Sequence, residues 1–77
     1  MSLKIKLQKN KNGPSISYKL VVVNQKSTPK SMYLDKIGTY DVHRKELILN
    51  KLKYEKWIAN GVVPTTSIKK LLLRFQI

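Results

Sequence analysis

The chain has 77 residues, no cysteine, and 16 Lys and Arg against 4 Asp and Glu, a formal net charge of +12. This length caps it at one domain, residues 1–77, of marginal stability and with little room for a buried catalytic shell. No disulfide framework or cysteine zinc site is possible, and a lone histidine, His43, with four scattered acids offers no metal cage.

Hydrophobic residues make up 42% of the chain, which suits a compact core and not a disordered basic tail. The longest apolar run is Leu20 to Val23, far short of the ~20 residues of a membrane span. Residues 3–7 read as a strand, not as an amphipathic, Arg-rich presequence, so the fold is expected to begin at residue 3 with no leader. A charge of +12 opposes folding by self-repulsion and calls for a polyanion. The lysines run along the whole chain and do not gather on one amphipathic helix. That favours nucleic acid over a membrane surface.

Leu3, Ile5 and Leu7 alternate with Lys4, Lys6 and Gln8, the pattern of a half-buried strand with a basic outer face. Lys9 to Pro14 has loop composition. Ile16 to Val23 is the strongest strand. Ile16, Tyr18, Leu20 and Val22 form one face, and Val21 and Val23 make the other apolar as well, which predicts a central strand at least partly covered on both sides. Asn24 to Ser31 is a polar, basic loop. Met32 to Tyr40 reads as a strand with a bulge or close approach at Gly38, Asp41 to Glu46 as a turn, and Leu47 to Leu49 as a short strand.

Asn50 then suits a helix N-cap, with Leu49 and Tyr54 at hydrophobic-staple positions. Tyr54, Trp57 and Ile58 form that helix's apolar stripe, and Gly61 suits its left-handed end. Val62 to Pro64 reads as a link. A second helix, capped by Thr65 or Thr66, presents Ile68, Leu71, Leu72 and Phe75 on one face. The expected fold class is α+β: a small, single-layer, mostly antiparallel sheet of about four strands with two C-terminal helices packed on it.

Several segments resemble the bacterial-type small-subunit ribosomal protein S16 family. They are Leu3-Lys4-Ile5-Lys6-Leu7, Tyr18 to Val23, and Tyr33-Leu34-Asp35-Lys36-Ile37-Gly38-Thr39-Tyr40. A final block matches in one ungapped register: Leu49-Asn50, Lys53, Trp57-Ile58, Gly61, Pro64-Thr65, Ile68 and Leu71-Leu72. Departures lie outside the core pattern. Gly13-Pro14-Ser15-Ile16 stands where the family has a basic run, Gln25-Lys26-Ser27 where it has Asp-Ser-Arg, and lysines replace many arginines. The resemblance implies a structural constituent of the small ribosomal subunit. Such a protein binds the 5′ domain of small-subunit rRNA, supports assembly, and adjoins other small-subunit proteins. It implies no cofactor and no small-molecule substrate.

The first RNA-contact candidates are Lys4, Lys6, Lys9, Lys11 and Asn12, followed by Lys19, Lys26, Ser27, Lys30 and Lys36, with Lys53 on the first helix. Trp57 and Tyr18 are expected in the core, whereas His43 beside Arg44 and Lys45 suits solvent or phosphate. Asp35, Asp41, Glu46 and Glu55 show no acid–base pairing, and Gly13, Gly38 and Gly61 stand alone, so no enzyme is expected. The competing reading is a basic nucleoid or other nucleic-acid-binding protein outside the ribosome. No helix, however, offers an outward Arg, Asn and Gln set for reading bases. Fourteen lysines against two arginines, five asparagines and a single alanine suggest an A+T-rich coding sequence. The expected compartment is therefore a mitochondrial ribosome, with plastid or bacterial cytoplasm as alternatives.

Overall fold

The computed structural model describes residues 3–10, 17–24, 26 and 32–76. Its spine is β2 (Ser17–Asn24), flanked by β1 (Leu3–Asn10) and β3 (Asp35–Asp41). Leu20, Val21, Val22 and Val23 are all buried, which is why a strand apolar on both faces takes the middle of the sheet. β1 pairs antiparallel with β2 in a register that sets Ile5 opposite Val22 and Leu7 opposite Leu20. It runs on to Asn10, past the apolar alternation, because Lys9 and Asn10 still pair with Tyr18 and Ser17. Ladder pairing needs backbone groups, not apolar side chains.

β3 begins at Asp35, later than the strand predicted from Met32, although the Leu34 N–H still donates to the Val22 carbonyl at 2.8 Å. The β2–β3 register shifts between Leu20 and Val21, so that Gly38 and then Lys36 are the partners and Ile37 is the extra residue of a bulge. A β-carbon at Gly38 would run into the Ile48 carbonyl oxygen. Bulge and close approach thus coincide. Residues 42–45 turn the chain into β4 (Glu46–Leu49), with Lys45 at φ 52° and Asp41 Oδ1 accepting the Arg44 N–H at 3.1 Å.

Asn50 caps α1 (Lys51–Ala59), its Oδ1 accepting the Lys53 N–H at 3.2 Å. Tyr54 and Trp57 pack on the core, but Ile58, predicted in the same stripe, is exposed. No residue of α1 is fully buried, so the helix rests on the sheet with a narrower stripe than the sequence pattern offered. Gly61 leaves the helix at φ +89°.

The predicted link holds a fifth strand, β5 (Val63–Pro64), parallel to β1 at Lys4 and Ile5. Two residues are too few to show a period, and proline is tolerated at a sheet edge. The sheet order is β4-β3-β2-β1-β5. α2 (Thr66–Arg74) follows and buries Ile68, Leu71 and Leu72, as its spacing predicted. Thr65 stands at its N-cap, but its hydroxyl makes no capping bond. The core cluster joins those three side chains to Ile5, Leu20, Val22, Ile37 and Val62. Both helices cover this one face, and Phe75 beyond α2 meets Tyr40 edge-on, ring centroids 5.8 Å apart.

Candidate nucleic-acid interface

Alternation along β1 sends Leu3, Ile5 and Leu7 to the helix side and Lys4 and Lys6 to the other. The register carries this parity across the sheet. Lys6 stands opposite Val21, Val21 opposite Lys36, and Lys4 opposite Val23. Lys19 lies two residues before Val21 and so shares its face. The helix-free face therefore has a valine floor, Val21 at 0% and Val23 at 4% exposure, bordered by four lysines. Lysine stems can cover apolar floor while their ammonium groups stay in water.

Among the described residues the one ion pair joins Lys53 Nζ to Asp35 Oδ1 at 3.0 Å, on α1 and away from this face. Lys4, Lys6, Lys19 and Lys36 thus have no carboxylate partner among the described residues. The Lys19 ammonium instead lies 5.5 Å from the centroid of the Tyr33 ring. Next to Lys36 the face dips into an open hollow of about 230 Å³ lined by Gly38, Thr39, Ile48 and Asn50. A second hollow of about 280 Å³, beside Arg44, Ser17 and Thr39, lies at the far end of β3. Both hollows are partly open to solvent. No group of three or more His, Asp or Glu that could hold a metal occurs among the described residues.

The remaining candidates scatter. Lys9 is exposed but has the parity of Ile5 and Leu7, so it parts from Lys4 and Lys6. Lys26 is exposed in a turn, its N–H donating to Asn24 Oδ1 at 3.1 Å. Lys53 is engaged with Asp35. Lys11, Asn12, Ser27 and Lys30 lie outside the described residues. The Asp35 carboxyl is held below its ordinary pKa, first by the Trp57 indole N–H and then by Lys53, against an opposing effect of burial. Trp57 is half-buried and packs on the core, as expected, while Tyr18 is half-buried beside Tyr40. The sequence pattern missed the Tyr33–Lys19 contact, because the two residues belong to different segments. The parity shared by Lys19, Val21 and Val23 was the available signal.

A family model described as "Ribosomal protein S16" matches residues 10–65, from the end of β1 to the N-cap of α2. The chain belongs to the ribosomal protein S16 family. Among its relatives, "Small ribosomal subunit protein bS16" of Phytoplasma mali is 35% identical over 72 residues, covering 94% of this chain and 89% of the relative. The protein of the same description from Sorangium cellulosum is 32% identical over 72 residues, covering 94% and 82%. "Small ribosomal subunit protein bS16c" of Thalassiosira pseudonana is 33% identical over 70 residues, covering 91% and 89%. These relatives thus match nearly the whole length of this chain.

Proposed function

We propose that this S16-family protein is a structural constituent of the small ribosomal subunit that binds small-subunit rRNA through the helix-free face of its sheet. The observation that carries this reading is the set of Lys4, Lys6, Lys19 and Lys36 around a buried valine floor, with no carboxylate partner among the described residues. Such a face neutralises phosphate and follows the shape of folded RNA without chemistry of its own. The names of the relatives agree with a place in the small ribosomal subunit. The protein works as a scaffold with no catalytic step. Its compartment is an organellar ribosome, mitochondrial by the lysine-rich composition, with plastid and bacterial cytoplasm compatible with the relatives.

The test titrates small-subunit rRNA against the parent and a variant with all four lysines replaced by Gln. The slope of log affinity against log salt should flatten by about three units, at roughly 0.7–0.9 per phosphate contact. Replacing Lys69 and Lys70 on the exposed side of α2 should change it less. An unchanged slope in the fourfold variant, or tighter binding to duplex DNA than to rRNA, overturns the reading. Fractionation of the source cells tests the compartment, and recovery of the protein with cytoplasmic ribosomes refutes the mitochondrial assignment.

A further inference from the structure

Met32, Tyr33 and Leu34 are three consecutive apolar side chains, and all are exposed, at 59%, 37% and 55%. Such a run on a small soluble domain is a liability unless something covers it. The Leu34 N–H holds the segment to β2 through the Val22 carbonyl at 2.8 Å, so the run is anchored to the sheet. The Lys19 ammonium, 5.5 Å from the Tyr33 centroid, places the ring on the helix-free, lysine-bordered face. Tyr33 is also absent from the side chains packed on the core.

We propose that Tyr33 is a stacking platform for an unpaired base of the bound RNA, with Lys19 held against one face of the ring and the base on the other. This rests on the RNA-binding reading above. Charge decides the occupant. An apolar protein partner would have to settle beside Lys19 and Lys36, whereas a nucleotide brings a flat π-face to Tyr33 and a phosphate to the lysines. A duplex hides its base faces, so the site selects single-stranded loops or bulges.

The test compares a single-stranded oligouridylate of about 12 nucleotides with an RNA duplex of similar length, within the range of single-strand site sizes. Tyr33→Ala should weaken the single strand about tenfold, leave its salt slope unchanged, and leave the duplex unaffected. Tyr33→Phe should bind within about twofold of the parent, since the ring is retained. Tyr33→Leu keeps apolar bulk without a π-face and should fail as Ala does, so damage to the fold is separable from loss of stacking. Lys19→Gln should flatten the slope on both probes. Tyr33→Ala or Tyr33→Leu binding oligouridylate like the parent overturns the proposal, as does equal loss on single strand and duplex. Parental binding to small-subunit rRNA is measured alongside. If rRNA binds no better than duplex DNA while Tyr33 still governs oligouridylate, the ribosomal reading fails and the stacking site stands.

Discussion

The Trp57 indole Nε1–H donates to Asp35 Oδ2 at 2.9 Å, tying the last turn of α1 to the first residue of β3. Lys53, one helical turn earlier, reaches the other carboxylate oxygen at 3.0 Å. Since α1 has no fully buried residue, this carboxylate does much to fix where the helix sits. Trp57→Phe keeps most of the ring and deletes the donor. It should cost about 1–2 kcal/mol, the low end for a bond to a charged group because Asp35 is partly exposed. Trp57→Ala should cost about 3 kcal/mol, enough to unfold much of a marginal domain. Urea denaturation of the parent and both variants reads these values. A Trp57→Ala protein as stable as the parent would show that the indole does not hold the helix.

Asp35 also makes stability depend on pH. Its carboxyl is held below the ordinary value of 3.8 in the folded chain, so folding favours the charged form. That contribution is complete above the unfolded pKa of about 4 and is lost as pH falls through the lower folded value. Melting temperatures between about pH 6 and pH 2.5 should drop in the parent over the acid end of this range. Asp35→Asn should show a smaller drop. The effect is modest because solvent reaches both Asp35 and Lys53. Parallel curves for the two proteins would contradict this.

On the sheet face, the proposed interface would give Lys6 two separable roles. Its stem borders Val21 while its charge is free to meet phosphate. Lys6→Met preserves the stem and should leave stability unchanged or slightly raised. Lys6→Ser uncovers the valine and should cost about 0.5–1.5 kcal/mol. Both should flatten the rRNA salt slope by about one unit. Equal stability of the two variants would mean the stem covers nothing.

Gly38→Ala tests the bulge. The new methyl meets the backbone oxygen of Ile48 across the β3–β4 pairing, so β4 must move. A loss of about 1–3 kcal/mol is expected, measured by thermal melting. A neutral result would place β4 further from β3 than described.

Salt should act with opposite signs on the free protein and its complex. Between 0.01 M and 0.1 M the Debye length falls from ~30 Å to ~10 Å, which weakens repulsion among the lysines. The melting temperature of the isolated protein should therefore rise. Its affinity for rRNA should fall as counterion release loses value. A melt and a titration at three salt concentrations decide this, and a melting temperature that falls with salt would contradict it.

Most elements were legible in the sequence because their patterns are strong. Leu3, Ile5 and Leu7 mark β1, the four buried residues from Leu20 to Val23 mark the central strand, and Ile68, Leu71 and Leu72 mark α2. Asn50 announced its cap through side-chain chemistry. β5 was illegible because its two residues acquire a conformation only by pairing with Lys4 and Ile5, some sixty positions earlier. Ile58 misled because apolar spacing says which residues could face a core, not how far that core extends. In the candidate interface, strand parity gathered Lys4 and Lys6. Lys36 and Tyr33 joined them only through register and side-chain reach. Lys9 left the group because β1 runs further than its apolar alternation.

The pairing of β1 with β5 also governs when folding can finish. Ile5 needs Val22 on one side and the Val63–Pro64 segment on the other, and its carbonyl waits for the Thr65 N–H. The lid over Ile5 is α2, which is synthesised after every strand of the sheet. Contacts this distant in sequence bear a loop-closure penalty and slow folding. The four consecutive antiparallel strands β1 to β4 can assemble as translation proceeds, but the core stays open until residues near Phe75 have left the exit tunnel. A nascent chain arrested before α2 should therefore display an uncovered apolar sheet, which makes it a candidate client for chaperones.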